Sequence, residues 1–282
     1  MNISMVPKGF LPSSLFSDRI FSEFVSESAI DPNLFGSSIT IVQDTEVSAG
    51  GEVSYPIHDS LNWRMSRFGQ QARSTLEAAL FQNEDDTTWQ AKLSTPIADP
   101  KKGKPRKYET PVGSGSRAFF PNLDSQTRSR IQDRYQTLVP PKSSVWDWLK
   151  VRPEVPIVLT EGGKKGLSLL TQGYLGIALY GINGGYRSKD AIGEACAPYL
   201  IPDLVPLIQP GRPVYLAFDQ DATAKTNQAV ARALSRFGSV LAKAGAIVYI
   251  IQWNGADGKG CDDLIVNRGA DAFKPFTIAP FP

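Results

Sequence analysis

Residues 213–234 read PVYLAFDQDATAKTNQAVARAL. A run of apolar and β-branched residues, Val214 to Phe218, stops on two acids one residue apart, Asp219 and Asp221, and a long helix-like pattern follows. A strand with almost no polar position is covered on both faces, as strands of parallel sheets are. Such a strand brings two carboxylates to one point at its C-terminal end, and the chemistry that needs them there decides the reading of the chain.

Working outward, the same alternation recurs. Apolar runs predict strands at 157–160, 175–179, 214–218 and 246–252. Helical patterns fall at 164–172, within 198–208, at 223–244 and from Asp262 onward. Strands alternating with helices predict a parallel sheet covered by helices, an α/β fold of Rossmann-like type. Residues 1–150 have a different character and read as a smaller α+β region. Strands are expected there at 38–43 and 52–57, a helix over 61–81, and short strands within TTWQAKLSTPI, RKYETPV and SRAFFPNL. The proline-rich stretch 138–156, with one short amphipathic helix inside it, places the boundary near residue 150. The expected domains are therefore 1–150 and 151–282.

In open α/β sheets ligands gather beyond the carboxyl ends of the strands, where loops converge and helix N-termini point into the crevice. The acids of this half fall there. Glu161 follows the strand at 157–160, with Gly162, Gly163, Lys164 and Lys165 next; Asp219 and Asp221 follow the strand at 214–218; Asp257, Asp262 and Asp263 lie in NGADGKGCDDLI beyond the fourth strand. Carboxylates crowded in one site raise one another's pKa, and a divalent cation removes the conflict. Mg²⁺ suits an all-oxygen donor set that also bridges to phosphates. Against this stand simpler roles: Asp221 as a helix cap, Glu161 as a favourable charge near a helix N-terminus.

Composition excludes several classes. Two cysteines, Cys196 and Cys261, and one histidine, His58, are too few for a disulfide framework or a structural zinc site; no zinc is expected, and His58 reads as a satisfied structural residue. No GxxxxGK[ST] occurs, so a P-loop ATPase is unsupported. The glycines of GINGGY, 181–186, could form a phosphate-binding nest, a tight turn being the commoner explanation. No apolar run is long enough to span a membrane and the N-terminus lacks a signal-peptide layout, so a cytoplasmic protein without a membrane partner is expected. Net charge is only +2, yet residues 101–150 hold eleven Lys/Arg against four Asp/Glu. That excess, carried by Lys101, Lys102, Lys104, Arg106, Lys107 and Arg117 and continued by Arg128, Arg130 and Arg134, is the footprint expected for nucleic-acid phosphates. Tyr108, Phe119 and Phe120 lie among these cations; base stacking is open to them, with strand packing the stronger expectation for the two phenylalanines.

Strand-Glu161-Gly162 followed by strand-Asp219-Gln220-Asp221 resembles the TOPRIM domain shared by bacterial-type primases, topoisomerases and some nucleases. The phrases KYETPVGSGSRAFFPNL, VPIVLTEGGKKGLSLLTQGYLGIALYGINGGY, YLAFDQDA and GKGCDDLI resemble in particular the TOPRIM-like domains of replication proteins from bacterial plasmids, phages and mobile elements. The resemblance implies that Glu161, Asp219 and Asp221 hold Mg²⁺ or Mn²⁺ and are catalytic, that Lys164 and Lys165 contact nucleotide, and that Asp262 and Asp263 form a late acidic motif. It implies a DNA primase-type nucleotidyltransferase making primers on single-stranded DNA from nucleoside triphosphates, with a helicase domain or replication protein as a further partner. The alternatives are a metal-dependent TOPRIM nuclease and a non-catalytic DNA-binding replication-initiation module. Two departures stand out: Lys165 occupies a position where many bacterial primases carry a further acid, and the zinc module that often precedes TOPRIM in primases is absent.

Overall fold

The computed structural model describes residues 14–98, 103, 105–220 and 224–273. The chain divides after Ser114: residues 1–22 with 39–114 form one unit, and 23–38 with 115–282 the other. The division thus falls well before residue 150, because residues 115–150 contribute a strand and two helices to the second unit.

The first unit is built on an antiparallel sheet of β1 (Ile39–Gln43), β2 (Glu77–Gln82), β3 (Thr88–Ile97) and β4 (Arg106–Glu109), in that order. The helix expected over 61–81 is replaced by a short helix, Gln70–Thr75, followed directly by β2. Glu77-Ala-Ala-Leu is a helix-forming string, but pairing with β1 and β3 buries it as a central strand, and tertiary context overrides the local preference. Likewise the strand expected at 52–57 is only Val53–Ser54, after which Pro56 opens a helix, Pro56–Ser60. His58 lies in the core of this unit, its Nδ1 2.6 Å from a carboxylate oxygen of Asp44 with both side chains fully buried. The backbone N–H groups of Ile57 and His58 donate to the other Asp44 oxygen, so the pair anchors that helix to the sheet.

The second unit contains, in chain order, β5 (Ala118–Phe119), α1 (Ser125–Tyr135), α2 (Val145–Lys150), β6 (Ile157–Glu161), α3 (Gly163–Thr171), β7 (Gly176–Leu179), β8 (Tyr186–Lys189), β9 (Ala195–Leu200), β10 (Pro213–Ala217), α4 (Ala224–Lys243), β11 (Ile247–Ile250) and α5 (Cys261–Arg268). Its main sheet has the order β11-β10-β6-β7-β5. The four strands β11, β10, β6 and β7 are parallel, and β5 closes the edge antiparallel to β7. The apolar runs read as strands are these four, buried because helices cover both faces.

On one face α3 and α5 pack over Val158, Tyr215, Ala217 and Ile251. The α3 contact is close: a Cβ on Gly176 would meet the backbone of α3, at 2.9 Å from the Gly166 oxygen. On the other face α4 buries Leu234, Phe237, Val240 and Leu241, a three-to-four-residue spacing that puts them on one side of the helix. Phe237 stacks on Tyr186, centroids 5.7 Å apart, and its ring lies where a Cβ of Gly185 would be. The glycines of GINGGY therefore include one that serves close packing.

The helix expected within 198–208 is absent; β8 and β9 form a hairpin whose second strand runs through Pro198, and turns follow to Leu207. Helix α1 was not legible as a periodic segment; Asp124 caps it by accepting from the N–H groups of Gln126 and Thr127. Arg212, fully buried just before β10, donates to the carbonyls of Val155 and Leu149 and so ties α2 to the sheet. Among the described residues no helix is long and apolar enough to cross a membrane.

Candidate active site

Parallel pairing of β6 with β10 sets Thr160 beside Ala217, so both strands end level. Glu161 completes β6, and Asp219 stands two residues beyond β10. The Thr160 hydroxyl donates to the Ala217 carbonyl at 2.7 Å and fixes the two strand ends to each other. Gly162, at φ +83°, turns the chain from β6 into α3, a conformation that favours glycine. This turn starts α3 two residues after Glu161 and sets Lys165 in its first turn, over the strand ends.

Lys165 Nζ lies 2.7 Å from Asp219 Oδ1, and Lys259 Nζ 3.7 Å from Asp219 Oδ2. Glu161 and Asp219 stand at the level ends of adjacent strands, close enough for the Asp219 charge to act on the Glu161 carboxyl. Burial pushes the Glu161 carboxyl above the ordinary range, and the Asp219 charge pushes it further, against the opposing pull of Lys165. For Lys165, burial disfavours the charged form, but Asp219, and then Asp262 and Glu161, outweigh it and hold the ammonium above its usual value. The centre is therefore a small, partly buried network of two carboxylates and one ammonium, with Lys259 on its rim.

The acids near the start of α5 divide by role. Asp263 accepts from the Gly260 N–H at 2.8 Å and caps the helix. Asp262 is 5% exposed and faces inward; burial raises its pKa, opposed mainly by Lys165, and its Oδ1 is buried without a hydrogen-bond partner among the described residues. Asp257 is held by Arg268 at 2.6 Å. The Gln220 N–H donates to the Lys259 carbonyl at 2.9 Å, which ties the segment after β10 to the loop after β11.

The two adjacent lysines point to different partners. Lys165 binds Asp219, whereas Lys164 lies 3.0 Å from Glu23, beside the Phe24 ring, on a π-helical turn, Ser22–Ser26. Asp221 lies outside the described residues, as do Lys101, Lys102 and Lys104. Among the described residues no three His, Cys, Asp or Glu side chains are grouped as a metal site. Lys259 and Glu23 escaped the sequence reading; the glycines around Lys259 in GKGCDD were the only local signal, and Glu23 had none.

The basic stretch before the sheet is split between the units. Arg106, in β4, is 3.1 Å from Glu109, and Lys107 is exposed beside it. Arg117 is 2.8 Å from Asp203, which also accepts from the Ala118 N–H. Arg128 donates to the carbonyls of Leu123, Pro140 and Ser143, Arg130 binds Asp31, and Arg134 lies 3.7 Å over the Tyr174 ring. Much of the charge in this stretch thus holds α1 in place. Phe119 is buried and Phe120 packs on Trp146, centroids 5.1 Å apart.

Residues 145–272 match the model of a family described as a domain of unknown function (DUF3854). An uncharacterized protein of Picosynechococcus sp. is 41% identical over 192 residues, covering 66% of this chain and 19% of that protein. The chain thus corresponds to about a fifth of that relative's length. A crystal structure of the Aquifex aeolicus primase, comprising its zinc-binding and RNA polymerase domains, aligns with a TM-score of 0.49 at 14% identity, over 95% of this chain and 58% of that one.

Proposed function

We propose that the second unit is a TOPRIM-type catalytic domain and that the protein is a DNA primase-type nucleotidyltransferase. The observation that carries the reading is the placement of Glu161 and Asp219: two carboxylates at the level ends of adjacent parallel strands, with Lys165 2.7 Å from Asp219, at the edge of the sheet where α/β ligands bind. Lys165 offsets the repulsion of the two carboxylates only in part, since the Glu161 carboxyl stays above its ordinary range, and an all-oxygen donor set suits Mg²⁺ or Mn²⁺. Glu161 and Asp219, with Asp221 as the third acid, are the residues that would hold it. The ion would supply charge stabilisation at a phosphoryl group as a 3′-hydroxyl attacks.

The chain's own groups do the rest. Lys165 holds the Asp219 carboxylate in one orientation. Lys259, its side chain 59% exposed, presents a charge to the open side, where triphosphate oxygens would meet it. Single-stranded DNA and nucleoside triphosphates are the proposed partners.

The test is a primer-synthesis assay with single-stranded DNA, labelled NTPs or dNTPs, and Mg²⁺ or Mn²⁺. Incorporation by the wild type that is abolished in Glu161→Gln and Asp219→Asn is the expected result. Metal-dependent degradation of the DNA with no incorporation would reassign the centre to a nuclease, and neither activity would leave a binding module.

A further inference from the structure

Helix α4 carries a feature that the carboxylate centre does not use. Residues 222–256 contain no Asp or Glu, and their four cations, Lys225, Arg232, Arg236 and Lys243, all lie in α4. Spacings of seven, four and seven residues at about 100° per residue put all four positions within about 20° of one line along the helix. That line spans roughly 27 Å at about 1.5 Å per residue.

The line is more than a solvated helix face. Between α4 and Pro198 of the β8–β9 hairpin lies a cavity of about 430 Å³, lined from the helix by Arg232, Ser235, Arg236, Ser239 and Lys243. Among the described residues no carboxylate lines it. Arg232, Arg236 and Lys243 are exposed and, among the described residues, make no ion pair, in contrast to Arg117 and Arg130. Cations and hydroxyls in a groove with no acid among its described lining residues match a sugar-phosphate backbone.

Topology gives the groove a direction. Helix α4 begins at the carboxyl ends of the parallel strands, five residues after Asp219, and finishes before β11 starts at the opposite edge. The cationic line therefore runs away from the carboxylate edge. We infer that the α4 face, with Pro198, is a binding track for the phosphate backbone of a single nucleic-acid strand. The inference does not depend on the catalytic reading, because binding is measured without metal or nucleotide.

The experiment is fluorescence anisotropy with a labelled oligo(dT) in EDTA across a salt series. Arg232→Gln/Arg236→Gln/Lys243→Gln, changes confined to exposed side chains, should bind at least about tenfold more weakly. Its slope of log affinity against log salt should fall by about 2, since each lost single-strand phosphate contact removes roughly 0.7. A thermal melt matching the wild type establishes that the variant is folded; should it not match, Arg236→Gln alone, expected to lower the slope by about 0.7, serves instead. Affinity and slope equal to the wild type in the folded variant would overturn the inference. So would poly-glutamate displacing the oligonucleotide as well as unlabelled oligo(dT) does, because the groove would then read only negative charge.

Discussion

The Lys165 ammonium sits 2.7 Å from the Asp219 carboxylate, although one residue lies in the first turn of α3 and the other beyond the end of β10. The side chains are 19% and 16% exposed, so water screens the pair only in part. One cation thereby balances the charge that Glu161 and Asp219 would otherwise share unsupported.

Replacing Lys165 by Met should accordingly destabilise the metal-free protein by about 2 kcal/mol, below the full value for a completely buried pair because both groups reach solvent. Adding Asp219→Asn should recover part of that loss, since the second change removes the charge left behind. Urea unfolding in EDTA at neutral pH measures both. A double variant whose loss equals the sum of the two singles would show that the residues do not interact.

The raised pKa of Glu161 gives a pH signature of definite sign. A native carboxyl that holds its proton more tightly than the unfolded chain does makes stability fall as pH rises, from the ordinary carboxylate value up through its own raised value. Glu161→Gln stays neutral throughout. In EDTA the variant should match the wild type in acid and become the more stable protein at neutral pH. Parallel stability curves for the two would show that the Glu161 carboxyl does not hold its proton more tightly in the folded chain.

This network shows where the sequence ran out. The strands ending at Glu161 and before Asp219 were legible because continuous apolar runs bounded by Gly and Asp have few other meanings. That both acids sit at the same edge followed from parallel topology alone. What could not be read was the partner of each charge. Lys164 and Lys165 are neighbours in the chain, yet successive helical residues point about 100° apart, so one reaches Asp219 and the other Glu23. Glu77–Gln82 was misread because its helix-forming residues are overruled by pairing on both sides. The β8–β9 hairpin was hidden by Pro198, which a strand tolerates only at an edge or an irregularity.

Arg212 was equally invisible, one arginine in a Pro-Gly-Arg-Pro turn. It is fully buried, burial pushes its guanidinium down to about 10, and its hydrogen bonds go to the Val155 and Leu149 carbonyls. Arg212→Ala should cost about 3 kcal/mol, because it leaves two buried acceptors unpaired and a cavity beside them. Equilibrium unfolding is the check; a loss under about 1 kcal/mol would mean that water replaces the guanidinium without penalty.

The last prediction separates the two lysines by function. If both met a triphosphate, Ala at either position would raise the KM for nucleotide alike. The structure gives them unequal tasks: Lys164 is paired with Glu23 and lies over Phe24, while Lys165 orients Asp219. Lys164→Ala should therefore leave kcat and the nucleotide KM within about twofold and cost under about 1 kcal/mol of stability, as a partly exposed ion pair does. Lys165→Ala should lower kcat/KM by about a hundredfold, the scale of losing one preorganised charge, and raise the Mn²⁺ concentration needed for half-maximal rate. Lys259→Ala, on the open rim, should raise the nucleotide KM about tenfold with kcat held, the signature of lost binding rather than lost chemistry. Steady-state primer synthesis across nucleotide and Mn²⁺ concentrations distinguishes the three. Equal losses from Lys164→Ala and Lys165→Ala would show that nucleotide draws Lys164 away from Glu23, and the pair would then act jointly on the triphosphate.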